Sequence, residues 1–165
     1  MAPKVLHRVC YGPNLPLSTT RNNQVHVRPA LLKSYRRHRV NGADYPAIMP
    51  EPKSTVRGTL VSGLTDGDMW RLDIFEGDEY ERKMVKVHVL TDEGNVNVEP
   101  TEKQLGEEVE ADAYLWIASK NRLEDRAWDF EEFVREKMGR WVGLAAEEAG
   151  EYNGETLNRP FLLHR

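Results

Sequence analysis

The stretch VRGTLVSGLTDGDMWRLDIFEGDEYERKMVKVHVL, residues 56–90, reads as strand, short helix, strand, and that order decides the fold class. Residues 54–64 alternate as a strand, with Val56 and Leu60 on one face and Arg57, Thr59 and Val61 on the other. Thr65 and Asp68 then have the spacing of a helix N-terminal capping box, and Met69, Leu72 and Phe75 follow at three-residue intervals. Gly77 ends this helix directly after Glu76. A strand from Tyr80 to Leu90 comes next, with Val85, Val87 and Val89 sharing a face.

Working outward, Val5, Leu6, Val9 and Cys10 stand at helical spacing behind an early proline, which predicts a short N-terminal helix. Residues 12–29 read as a loop with a brief extended piece at Val25 to Val27. A strand is expected over Ala30 to Val40, closed by the turn signal Asn41-Gly42, with a second extended piece at Tyr45 to Met49. Residues 91–108 are polar and read as a hairpin connection. In the strand over 109–119, Ala111, Ala113, Leu115 and Ile117 face one way and Tyr114 and Trp116 the other. From Asp125, taken as an N-cap, the stripe Phe130, Phe133, Val134, Met138, Trp141, Val142 and Ala145 predicts a long C-terminal amphipathic helix ending near Gly150. Strands followed by a packed terminal helix predict an α+β domain with a curved or barrel-like sheet, spanning 1–150, with 151–165 as a C-terminal tail.

Composition narrows the classes of function. The net charge is -4 with both signs interspersed, which demands neither a nucleic acid nor a membrane as partner. No apolar run approaches the ~20 residues of a membrane span, and the single cysteine fits a reducing compartment, so a soluble cytoplasmic protein is expected. The five histidines are scattered without metal-ligand spacing, so no metal and no cofactor are expected. No nucleophile elbow and no phosphate-binding glycine loop occurs. The basic run SYRRHR (34–39), with Arg36, Arg37 and Arg39, reads as the solvated face of an edge strand rather than a nucleic-acid site.

Glu76 is the candidate for chemistry. At the C-terminal end of a helix it meets the negative end of the dipole, and Ile74 and Phe75 before it offer partial burial; both raise a carboxyl's pKa. A glutamate tuned towards neutrality serves as a general base and then as an acid. Tyr80 brings a hydroxyl to the same junction.

YPAIMP (45–50), residues 56–87, AYLWIAS (113–119) and WDFEEFVREKM (128–138), taken in order, resemble the gamma-glutamylcyclotransferase-like family, in particular its plant and fungal branch of avirulence-induced proteins. LDIFEGDEYERK (72–83) is the most specific of these segments. The resemblance implies a small mixed β-barrel flanked by helices, and Glu76 as the group that accepts and returns a proton. It implies a small-molecule γ-glutamyl substrate whose own α-amino group closes a ring of 5-oxoproline and expels an amine, with Tyr80, Tyr114 and Tyr45 lining the pocket. Family members open with a strand ending in a YGTL-type substrate-binding motif, which this chain lacks. MAPKVLHRVC resembles the segment directly after that motif, so Met1 and Ala2 fall beside the substrate and the first barrel strand is expected to be missing. An enzyme is the leading expectation; a noncatalytic binding or scaffold protein that keeps the fold is the alternative.

Overall fold

The computed structural model describes residues 3–12, 25–91, 100–137 and 161–164. Three helices, α1 (Pro3–Tyr11), α2 (Asp66–Glu76) and α3 (Phe130–Glu136), accompany six strands. The strands are β1 (His26–Val40), β2 (Pro46–Ser62), β3 (Tyr80–Leu90), β4 (Leu105–Trp116), β5 (Leu123–Ala127) and β6 (Phe161–His164). They form one mixed sheet in the order β2-β6-β4-β3-β1-β5, and β1 also pairs with β2. Five strands therefore close into a ring, and β5 is added outside it against the far half of β1.

The ring closes because alternating residues turn the same way. Ala30 and Leu32 of β1, Val56 and Leu60 of β2, Val85, Val87 and Val89 of β3, and Ala111, Ala113 and Leu115 of β4 form one buried cluster. The expected alternation holds on β3 and on β4 as far as Leu115; Ile117 lies past the end of β4 and is exposed. A second cluster packs between the strands and the helices. It joins Val5, Leu6, Val9 and Cys10 of α1 to Met69 and Leu72 of α2, with Tyr114 from β4 and Phe133 from α3.

β1 and β2 make a single long bent hairpin where four separate extended pieces were expected. The bend lies where Ser34 alone, at φ 64, faces residues 51–54 of β2 between the pairs Lys33↔Thr55 and Tyr35↔Pro50. Beyond it the basic run is not a free edge, since β5 pairs on its other side. Arg36 and His38 reach Glu51, and Arg39 reaches Glu124 and Glu132.

Two expectations about the C-terminal third are corrected. Asp125 lies in β5, and α3 starts five residues later, where the Asp129 carboxylate accepts from the Glu132 backbone N–H at 3.1 Å. The described helix ends at Glu136, and the rest of the predicted long amphipathic helix, from Met138 on, falls outside the described residues. Residues 161–164, placed in a tail by sequence, form β6. It runs antiparallel to β2 from Gly58↔His164 to Val61↔Phe161 and meets β4 in parallel at Asp112↔Phe161. β6 bridges β2 and β4, and with it the described strands form a ring.

The capping box forms as predicted. Asp68 Oδ2 accepts from the Thr65 backbone N–H at 2.9 Å and from its hydroxyl at 2.7 Å, while Thr65 Oγ1 accepts from the Asp68 N–H at 3.2 Å. Asp68 is buried, so its carboxylate depends on these bonds. Thr65→Ala is expected to cost about 1 kcal/mol and to lower the melting temperature by roughly 2–4 °C, read by calorimetry.

Candidate active site

α2 carries Glu76 on its last residue, and Gly77 turns the chain away at that point. Gly77 takes φ 65 and ψ -166 and its N–H donates to the Asp73 carbonyl. A Cβ there would meet nothing within 4 Å, so glycine is required by the backbone angle and not by crowding. One short 3-10 turn, Gly77–Glu79, then leads into β3 at Tyr80. The helix is thereby stopped at Glu76 and its carboxyl is left at the negative end of the helix dipole.

Glu76 keeps partial contact with solvent, yet it is crowded by enough protein that burial pushes its carboxyl up to about 7. No described residue is hydrogen-bonded or ion-paired to it. Its charge reaches two tyrosines whose pKa values lie above the ordinary range, both primarily through burial. Tyr80 lies edge-on to Trp116, with ring centroids 5.3 Å apart, and Tyr114 is buried among the residues that join α1 to α2. Both hydroxyls are therefore neutral near Glu76.

Each of these hydroxyls has already committed its proton. Tyr80 donates to the Pro46 carbonyl at 2.8 Å, and Tyr114 donates to Asp73 Oδ1 at 2.5 Å, with Arg82 on the second oxygen of Asp73 at 3.3 Å. A phenol has one proton to give. What Tyr80 and Tyr114 present towards Glu76 is ring surface and lone pairs, and the donors for a developing oxyanion must come from other groups.

The structure thus gathers Glu76, Tyr80 and Tyr114, and sets Tyr45 slightly apart. The Tyr45 hydroxyl donates to Glu79 Oε2 at 2.9 Å, and its ring meets that of Tyr80 edge-on at 6.3 Å. Met1 and Ala2 lie outside the described residues. Sequence reasoning missed Glu79 and Arg122, which form an ion pair. Arg122 also lies over the Trp116 ring at 5.2 Å, and its hydrogen bond holds the Glu79 carboxyl below the usual range. This pair pins the chain just past Glu76, where the Glu79 carbonyl accepts from the Ile117 N–H at 2.9 Å. Nothing in the spacing of residues 79 and 122 announces it. Among the described residues, no three His, Cys, Asp or Glu side chains gather to hold a metal ion, and no helix is long and apolar enough to cross a membrane.

Residues 9–133 match the family described as Gamma-glutamyl cyclotransferase, AIG2-like. The chain belongs to this family. AIG2-like protein D of Arabidopsis thaliana is 32% identical over 124 residues, which are 75% of this chain and 74% of that protein. Protein AIG2 C of the same plant is 30% identical over 105 residues, 64% of this chain and 56% of its own length. For Protein AIG2 B the figures are 32% over 114 residues, 69% and 60%, so the matched part spans less than two thirds of either of these two relatives. A solution structure from Arabidopsis thaliana is similar with a TM-score of 0.47 and 28% identity, covering 72% of this chain and 71% of that one. The segment LDIFEGDEYERK lies inside the matched range; it ends α2, bears Glu76 and opens β3.

Proposed function

We propose that the chain cyclises a γ-glutamyl amide or peptide to 5-oxoproline, with Glu76 as the group that moves the proton. Membership of the AIG2-like family supports a gamma-glutamylcyclotransferase-like role. The observation that carries the rest is a single carboxyl at a helix end, raised to about 7 by burial, beside two neutral tyrosine hydroxyls.

The chemistry needs little else from the protein. The substrate's α-amino nitrogen attacks its own side-chain carbonyl carbon, the new N–C bond closes the ring, and the bond from that carbon to the leaving nitrogen breaks. The α-ammonium gives up two protons in becoming the lactam N–H; the Glu76 carboxylate takes each in turn and passes it to the departing nitrogen, which leaves as an ammonium, so the count closes and no water is consumed. A carboxyl whose pKa lies near neutrality transfers each proton in either direction with little penalty. Holding the glutamyl chain folded supplies the remaining advantage, because the reacting atoms belong to one molecule.

The test is release of 5-oxoproline, measured by chromatography, from a panel of γ-glutamyl dipeptides and γ-glutamyl amines. Turnover of at least one member, with a free amine released in equal amount, is the expected result. Absence of 5-oxoproline from every member overturns the proposal and leaves the family fold as a binding or scaffold protein.

A further inference from the structure

Asp73 stands three residues before Glu76 on α2, a spacing that puts two side chains on one face of a helix with Cβ atoms roughly 5–6 Å apart. Its backbone carbonyl accepts from the Gly77 N–H, which closes the turn that contains Glu76. Its side chain ties that turn to the sheet. Oδ1 accepts from the Tyr114 hydroxyl at 2.5 Å, and Oδ2 lies 3.3 Å from Arg82. Tyr114 of β4 and Arg82 of β3 are directly opposed in the ladder, so one carboxylate spans both strands.

The two partners of Asp73 differ in weight. Arg82 is exposed, and an ion pair open to water contributes little. Tyr114 is buried, so its hydroxyl has to find an acceptor inside the protein, and a phenol has one proton to give. Two carboxyls stand near enough to claim it. Both Asp73 and Glu76 act on the Tyr114 hydroxyl electrostatically, yet only Asp73 is bonded to it. A carboxylate that accepts such a proton is stabilised in its ionised form and becomes a weaker base.

The other charged and titratable groups around this junction are already engaged. Tyr80, the second phenol in the field of Glu76, donates to the Pro46 carbonyl, and Glu79 is held by Arg122 and Tyr45. α1 meets α2 through Val5, Leu6, Val9 and the un-ionised thiol of Cys10.

We propose that Asp73 is a positioning residue for Glu76: it holds the Tyr114 proton, and so leaves the Glu76 carboxylate free of that donor and able to take protons from the substrate. The role in turnover rests on the reading of Glu76 given above. Asp73 touches no reacting atom in this account, and Arg82 serves it by fixing which carboxylate oxygen faces Tyr114.

The decisive variant is Asp73→Asn, which keeps the size of the side chain. Arg82 attracts the amide oxygen, so the amide N–H₂ turns to Tyr114, the phenol accepts there, and its own proton passes to Glu76. The readout is the titration of the Glu76 side-chain carboxyl carbon by ¹³C NMR, assigned by its disappearance in Glu76→Gln. The wild-type midpoint is expected at about 7. In Asp73→Asn it should fall by at least about one pH unit, and in Asp73→Asn combined with Tyr114→Phe it should return to the wild-type value. A helix end that is merely loosened would not recover when a second hydroxyl is deleted. Equal midpoints in the wild type and Asp73→Asn overturn the inference, and so does a midpoint that stays low in the double variant. Should Asp73→Asn fail to fold, Tyr114→Phe alone carries the test. Its Glu76 midpoint should match the wild type, and a rise would show that the hydroxyl already serves Glu76, which overturns the inference. If Glu76→Gln abolishes 5-oxoproline release while Asp73→Asn leaves the midpoint in place, this inference fails and the proposed function stands. If no γ-glutamyl compound is turned over but the midpoint falls in Asp73→Asn and recovers in the double variant, the proposed function fails and the placement of the Tyr114 proton by Asp73 stands.

Discussion

Replacing Glu76 with glutamine will lower 5-oxoproline release by roughly 10²–10⁴-fold, the range general acid–base groups supply, with little change in KM. Glutamine keeps the shape and can still donate a hydrogen bond, but it cannot take a proton from the substrate ammonium. In the wild type the active form is the carboxylate, so the rate should climb with pH up to about 7 and then level off as Glu76 becomes ionised. A wild-type profile that is flat between pH 5 and 8 would count against proton transfer by this group.

The same substitution should make the fold more stable at alkaline pH. Glu76 binds its proton more tightly folded than unfolded, because its carboxyl rises from 4.5 to about 7. Between those two values the folded state holds the extra proton, so stability falls as pH rises through that window and the loss is complete above it. The size of the loss is on the order of 2–3 kcal/mol, reduced where solvent still reaches the group. Urea denaturation at pH 8 should find Glu76→Gln more stable than the wild type, and at pH 4 the two should agree. Lost activity with stability gained is a combination that a merely structural glutamate does not give.

Leu72→Ala should have the largest effect on stability. Leu72 has 0% exposure and lies in the cluster that joins α1 and α2 to Tyr114 and Phe133. Truncation there removes apolar contact and leaves a cavity, at about 2–5 kcal/mol, which lowers the melting temperature by on the order of 10 °C. Leu72 is one helical turn from Glu76, so kcat should fall as well, through a loosened last turn of α2. Leu72→Met keeps the volume and should cost less than about 1.5 kcal/mol with near-normal kcat. Equal melting temperatures for Leu72→Ala and the wild type would show that α2 is not held by this packing.

Local chemistry was legible and distant pairing was not. The capping box of Thr65 and Asp68 was readable because both partners lie within one helical turn, and Val85, Val87 and Val89 showed their common face because a strand alternates with period two. The α1 stripe Val5, Leu6, Val9 and Cys10 was readable by the same logic of periodicity. Asp125 misled because an aspartate before an apolar stripe looks like an N-cap wherever it stands. Only pairing with β1 shows that it belongs to β5 and that Asp129 caps the helix. Around Glu76 the helix end and Tyr80 were visible, being neighbours in sequence. The Arg122 partner of Glu79 and the Asp73 carboxylate that holds Tyr114 were not, since each contact spans tens of residues.

The closing strand of the ring has a consequence for synthesis. His164 pairs with Gly58, about a hundred residues earlier, so β2 leaves the ribosome long before its second neighbour exists. During that interval the nascent chain carries β2 with one side of its backbone open to strand exchange with other chains, while hairpin contacts such as β1 with β2 can already form. Contacts this far apart in sequence also slow folding, which places ring closure after the local hairpins. Translation speed across residues 137–160, which separate α3 from β6, therefore sets how long that edge waits for its partner.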